Sequence, residues 1–368
     1  MPLQPQPDPR GFETPDETAA PPERRAQRRA DDPDITSQLD TLIEALGGER
    51  GSYDARLVRE LLVAGLKLIP DGRDTGELKL MTATVKELRY AYRVFGQYRE
   101  PHKVTIFGSA RTAPGHPDYT AAVEFSRIMA ERGWMIITGA GGGIMHAGHV
   151  GPGRAASFGV AIRLPFETTA NEIIAGDDKL IHFRYFFTRK LMFMSQAEAV
   201  ALFPGGFGTM DEAYEALTLV QTGKSSMVPV VMLEGEGGDY WKQWEQWTIK
   251  GLLERNLISA EDTGLYYIAR DAADARDHIT RFYRNYHSSR YVRDDFVIRL
   301  RSALKESDVA RLAQEFRVLI KEGTLTQRGP LDGETDARDL PRLVFHHTRY
   351  KFGLMRRLID RINECDPA

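Results

Sequence analysis

One cysteine, Cys365, occurs in a chain of 368 residues, which excludes an intramolecular disulfide and a cysteine zinc cluster. No charge of either sign predominates. Lys and Arg number 49 and Asp and Glu 52, a formal net charge of -3, so there is no general drive toward nucleic acid or an acidic membrane. No apolar run approaches the roughly 20 residues of a membrane span. The N-terminus is proline-rich and charged rather than apolar, so the expected compartment is a reducing cytoplasm. What is present is a globular composition, 42% hydrophobic and 27% charged, with length for one large domain and smaller additions.

Four regions are expected. Residues 1–34 carry proline, arginine and acids with few large apolar side chains, a composition that cannot offset the entropy of ordering, and read as a disordered tail. The ERRAQRR cluster at 23–29 reads as part of that solvated tail. Residues 35–99 place apolar side chains three or four apart, as in Leu57, Leu61 and Leu62, which predicts three helices broken near 47–51 and 70–72. Residues 100–287 alternate short β-branched runs with amphipathic stretches. This is the pattern of an α/β fold, a Rossmann-like doubly wound parallel sheet, with strands over 104–107, 135–138, 158–162, 180–183, 200–203 and 228–233. Helices are expected over 119–132, 185–196 and 209–222. Residues 288–368 read as a helical extension, with helices over 296–304, 307–320 and 350–363 and a polar link at 323–339. Arg349, Lys351, Arg356, Arg357 and Arg361 make the last helix cationic, which suits a solvated face or an oligomer contact better than nucleic acid.

Three glycine-bearing turns follow expected strands: Gly108 and Ser109; 139–143, which includes Gly141, Gly142 and Gly143; and Gly205, Gly206 and Gly208. In a parallel sheet the carboxyl ends of the strands share one edge, so these turns should meet in one crevice. The third, Pro204-Gly205-Gly206-Phe207-Gly208-Thr209, passes straight from strand to helix, where glycines let the backbone approach a phosphate and the helix start favours an anion. Thr209 is expected to cap that helix and to offer its hydroxyl to a phosphate oxygen. Familiar nucleotide motifs do not account for these glycines. A P-loop ending at Gly223-Lys224-Ser225 needs a glycine where Thr218 stands, and a dinucleotide fingerprint over 139–144 needs one where Ile144 stands.

Glu212 follows Thr209 by three residues. It either closes a capping box with Thr209 or serves a sugar by binding hydroxyls and stabilising a developing oxocarbenium ion. Arg189 and Lys190 lie in the apolar stretch FRYFFTRKLMFM at 183–194. They either snorkel to solvent or meet a ligand, Arg189 being suited by its forked donors to a departing base.

FGSART at 107–112, TGAGGGIM at 138–145, RK at 189–190 and PGGFGTMDE at 204–212 resemble the LONELY GUY family of nucleoside-monophosphate phosphoribohydrolases, once labelled putative lysine decarboxylases. The resemblance covers about 103–285 and, with its flanks, is similar to a longer bacterial subgroup. It implies a Rossmann-like dimer without metal or cofactor, in which Arg189 and Glu212 are catalytic and Gly205, Gly206, Gly208 and Thr209 hold phosphate. Gly108, Ser109, Gly141, Gly142, Gly143 and Lys190 join them as substrate-binding residues. Two departures bear on substrate identity: Phe187 stands where plant members have histidine, and His146 where glycine or glutamate is expected. The decarboxylase label finds no support, because lysine decarboxylation normally needs pyridoxal phosphate on a lysine.

The expected reaction is hydrolysis of a purine nucleoside monophosphate, AMP or an N6-modified relative, to base and ribose 5-phosphate. The alternative is a nucleotide-binding sensor or carrier, since fold alone does not establish catalysis. Nucleic-acid binding ranks last for want of interleaved exposed aromatics.

Overall fold

The β-branched runs lie where a buried parallel sheet needs them. The structure, a computed structural model, describes residues 32–163, 170–332, 334 and 336–368. The tail expected over 1–34, with its ERRAQRR cluster, lies outside the described residues except for 32–34. Two compact units divide the chain, 1–86 and 87–368.

In the first unit, α1 (Pro33–Ala45) and α2 (Tyr53–Lys67) are each opened by a side-chain cap, from Asp32 and Ser52 respectively. Gly47 and Gly51 break the chain between them with positive φ angles of 90° and 79°, a region glycine enters without steric cost. Arg59 ties α2 to α1 by an ion pair to Asp40 at 2.9 Å. The third helix, α3 (Thr75–Phe95), begins here, and its part from Glu87 onward belongs to the second unit.

That unit is built on β1 (Lys103–Phe107), α4 (Pro117–Glu131), β2 (Met135–Thr138), α5 (Ile144–Val150), β3 (Ser157–Ile162), β4 (Leu180–Phe183) and α6 (Phe186–Ser195). It continues through β5 (Ala199–Leu202), α7 (Phe207–Gln221), β6 (Val230–Met232) and α8 (Tyr240–Trp244). A π-helical turn at Glu245–Ile249 leads into α9 (Lys250–Glu254), followed by β7 (Tyr266–Ile268) and α10 (Ala272–Phe282). The strands form one seven-stranded sheet in the order β4-β3-β2-β1-β5-β6-β7, parallel at every pairing.

Alternate residues of the strands feed two cores. Val104, Ile106, Ala201 and Val231 pack with α4, α5 and α10 on one face; Phe107, Val200, Leu202 and Val230 pack with α6, α7 and α8 on the other. The sheet grows outward from β1 through β2, β3 and β4, then resumes on the other side of β1 with β5. Ligands of open α/β sheets bind at such a reversal, beyond the carboxyl ends of the strands. Here those ends are Phe107 and Leu202, paired side by side.

The end of the chain differs from the helical reading. Helices α11 (Glu306–Glu315) and α12 (Phe352–Glu364) are there, but they alternate with β8 (Tyr286–Val292), β9 (Asp295–Leu300), β10 (Ile320–Arg328) and β11 (Arg342–His347). These strands form a second, antiparallel sheet in the order β10-β11-β9-β8. The stretch expected as a helix over 296–304 is therefore mostly strand, and the expected link at 323–339 begins as strand. The physical reason is long-range: Arg299, next to the end of β9, is held at 2.7 Å by Glu334 and at 2.8 Å by Asp336. Buried Arg342 on neighbouring β11 meets the same Glu334 at 3.1 Å. Cations that look like a solvated stripe are also mostly engaged: Arg356 pairs with Asp360, Arg361 with Glu315 and Glu364, and Lys351 with Glu261. Cys365, just after α12, is buried.

Candidate functional site

The three glycine turns meet. Ser109 N–H donates to Pro204 O at 3.1 Å, and Ile144 N–H donates to Ser109 O at 3.0 Å, so the turn after β1 bridges the other two. The approach is too close for side chains at several points. A Cβ on Gly205 would overlap Thr209 Oγ1 and lie 2.7 Å from Thr209 Cβ and 3.0 Å from Ser109 N, and one on Gly108 would lie 2.6 Å from Ile144 Cγ2. Gly143 combines a φ of 61° with overlap on Ser109 O. A Cβ on Gly141 would press on Met145 and one on Gly142 would lie 3.5 Å from Ala110 O, whereas one on Gly206 or Gly208 would meet nothing within 4 Å. The open side of the cradle is therefore the start of α7.

Gly206 is the N-cap of α7 and Gly143 that of α5, and neither supplies a capping side chain. The first N–H groups of a helix have no partner within it and carry its positive end, so the start of the long helix α7 suits an anion. Thr209 does not cap the helix, contrary to expectation. The helix starts two residues earlier, and Thr209, in its first turn, is buried beneath Gly205. The capping box with Glu212 falls with it, because Gly206 holds the N-cap position.

Glu212 sits one turn further along α7, half-buried. Burial pushes its carboxyl above the ordinary range, while the charges of Arg189 and Lys190 pull it back down. Arg189 donates from Nε to Val160 O at 2.8 Å and lies 5.0 Å over the Phe193 ring. Its guanidinium also fills the space where a Cβ on Gly139 would be. Lys190 bonds instead to carboxylates of α7, Asp211 at 2.8 Å and Glu215 at 2.7 Å. Burial works against its charge, but these bonds outweigh it and hold the ammonium above its usual range. Arg189 and Glu212 are thus brought together at the cradle, with Lys190 locking their two helices.

Several supporting residues carry no local motif. Asn171 donates from its backbone to Ala140 O at 2.8 Å and from Nδ2 to Gly141 O at 3.1 Å, pinning a turn in which Ala140 has a φ of 63°. Fully buried His149 contacts Asn171 and Phe158 O. Tyr240 donates to Gly205 O at 2.7 Å, and Glu87 accepts from Arg184 N and Thr188 Oγ1 at the start of α6. His146 bonds to Tyr119 and, at 2.8 Å, to Glu172. Phe187 is exposed and stacks on Tyr185, and Phe207 at the tip of the cradle is 98% exposed. Among the described residues no helix is long and apolar enough to cross a membrane.

Comparison with known proteins reaches the same segment. The family model described as "Possible lysine decarboxylase" matches residues 141–279. A curated relative from Mycobacterium tuberculosis, named cytokinin riboside 5'-monophosphate phosphoribohydrolase, is 30% identical over 159 residues, 42% of this chain and 82% of its own length. Among solved structures, the molybdenum cofactor carrier protein of Chlamydomonas reinhardtii is 21% identical with a TM-score of 0.35, over 50% of this chain and 98% of that one. A molybdenum cofactor binding protein from Rippkaea orientalis is 21% identical with a TM-score of 0.33, over 50% and 96%. With a relative matched over most of its length, and with the RK pair and PGGFGTMDE set around one cradle, the chain belongs to the LONELY GUY family.

Proposed function

We propose that the chain hydrolyses the N-glycosidic bond of purine nucleoside 5′-monophosphates, AMP or an N6-modified AMP, to the free base and ribose 5-phosphate. The observation that carries this reading is the placement of Arg189 and Glu212 against one uncapped glycine cradle. In the reaction a water oxygen bonds to C1′, the C1′–N bond breaks with its electron pair going to the base, and the base takes up a proton. The phosphate lies on the N–H groups at Gly205, Gly206 and Gly208. The buried hydroxyl of Thr209 lies beneath it, and Gly108, Ser109, Gly141, Gly142 and Gly143 complete the wall. Glu212, ionised, stabilises the positive charge that develops on the ribose and orients the water. Arg189 supports the departing base, its fork aimed by Val160 O and Phe193.

Binding energy from the phosphate aligns a glycosidic bond several atoms away, so the reaction depends on a group that does not react. Lys190, in this reading, acts through the helices rather than on the substrate. The name of the Mycobacterium tuberculosis relative supports the reaction class. Exposed Phe186, Phe187 and Leu191 along α6 fit a homodimer or higher homo-oligomer in the cytoplasm that covers them.

The test is to incubate the purified chain with a panel of nucleoside monophosphates and the matching nucleosides, and to assay base and ribose 5-phosphate. Release from AMP with far slower release from adenosine is expected. Equal kcat/KM for the two removes the phosphate cradle from the reading. Tight AMP binding with no adenine released favours a sensor or carrier.

A further inference from the structure

The parallel sheet has a second edge, where strands begin, and the links that enter it frame a cleft. Residues 99–102 lead into β1, 195–198 into β5 and 226–228 into β6; residues 283–289 and Arg301, from the start of β8 and the end of β9, stand against them. The volume is about 520 Å³, within the roughly 300–1,000 Å³ of small-molecule sites. The match to the family model ends at residue 279, so one wall of this cleft comes from chain beyond it.

The lining sets Arg99 and Arg301 against Glu100 and Glu198, and the ammonium of buried Lys103 behind it acts on His102. The Arg99 side chain has no hydrogen bond or ion pair among the described residues. Among the described residues Arg301 uses only its Nε, on Tyr283 O at 3.1 Å. His102 packs against Trp134 at 4.9 Å and Tyr283 at 5.2 Å, and those two rings lie 5.9 Å apart, so three rings cluster at the cleft, which His287 also lines. Of the two acids, Glu198 already accepts the Lys103 N–H at 2.8 Å, and Glu100 is exposed at the rim. Burial, and then the charges of Arg301, Lys103 and His287, push the His102 imidazole below its usual range; burial and then Arg301 do the same for His287. The imidazoles are thereby biased to their neutral form, so Arg99 and Arg301 are the charges that an anion entering the open cleft would meet.

We infer that this cleft is a second, non-catalytic ligand site that takes a small phosphate-bearing anion, with Arg99 and Arg301 as its charge partners and His102 in its lining. The site lies across the sheet from the glycine cradle. Residues 195–198 join α6, which carries Arg189, to β5, which ends at the glycine turn, so an occupant touches the connection between the two elements of the proposed active site. The inference does not depend on the proposed reaction, because it concerns binding at the opposite edge.

Tripolyphosphate titrated calorimetrically into the full chain tests it. The crevice is first closed to anions by Gly206→Asp, which places a carboxylate where there is open space and where aspartate suits a helix N-cap. Tripolyphosphate is expected to bind this variant. Adding Arg99→Ala or Arg301→Ala is expected to weaken binding by about tenfold or more. Absence of binding to Gly206→Asp, or undiminished binding in the arginine variants, overturns the site. Should Arg301→Ala fail to fold, Arg99→Ala decides, since it removes an exposed side chain without a partner among the described residues.

Discussion

Lys190 and Asp211 are joined by an ion pair of 2.8 Å, and their chain neighbours Arg189 and Glu212 are the two groups whose relative position the proposed chemistry depends on. The pair, with Glu215 at 2.7 Å, fixes the register of α6 against α7. Lys190→Met keeps much of the length and removes the charge, leaving Asp211 and Glu215 as like charges one helical turn apart. Because Asp211 is mostly exposed and Glu215 partly so, both carboxylates stay hydrated, and a stability loss of no more than about 1 kcal/mol is expected, together with a lower kcat. Thermal melts and steady-state assays on one preparation check this; an unchanged kcat in a destabilised but folded variant shows that register is set elsewhere.

Glu212→Gln separates charge from structure. Because burial raises the folded-state pKa of Glu212 above its unfolded value, ionisation costs the folded state. Below the unfolded value of about 4.3 both states hold the proton and the cost is absent; as pH rises through the folded value the wild type loses stability relative to the glutamine variant. The variant is therefore expected to melt no lower than wild type at neutral pH, with the gap widening from acid upward, while kcat falls about a hundredfold or more. The same raised pKa places the acid limb of kcat/KM above the ordinary carboxylate range. Wild-type turnover in folded Glu212→Gln ends the proposed role.

Much of this site was readable from local sequence because its parts are local: a β-branched run, a glycine turn and a helix start follow one another over 199–212. The strand reading failed where the deciding partners are distant. Phe296, Leu300 and Leu304 recur four apart, as a helix would have them, yet Phe296, Ile298 and Leu300 point into one core as alternate residues of β9. What selects the strand is Arg299 meeting Glu334 and Asp336 across more than thirty residues, which no window reveals. The strand β7 was missed because Tyr266–Ile268 is too short to show a period. The capping role given to Thr209 failed for a smaller reason: glycine at 206 allows α7 to begin earlier, and the hydroxyl turns inward. Asn171 and Tyr240, which hold the turns from outside, leave no signal at all.

Gly205→Ala tests the closeness of the cradle. The added Cβ would overlap Thr209 Oγ1, and overpacking of this kind costs about 1–3 kcal/mol. Adding Thr209→Ala removes the nearer atom but leaves Cβ at 2.7 Å and Ser109 N at 3.0 Å, so only partial recovery of the melting temperature is expected. Full recovery by the double variant means that the hydroxyl alone sets the fit.

Cys365 is buried, its Sγ within 3.2 Å of Arg361 O, and burial raises its thiol pKa, which starves it of the reactive thiolate. The chain is thereby almost silent to thiol reagents in its native form. A single cysteine introduced at the 98% exposed position of Phe207 would accept a fluorophore at the lip of the glycine cradle with no competing label, and the arrival of a nucleotide there becomes something that can be timed.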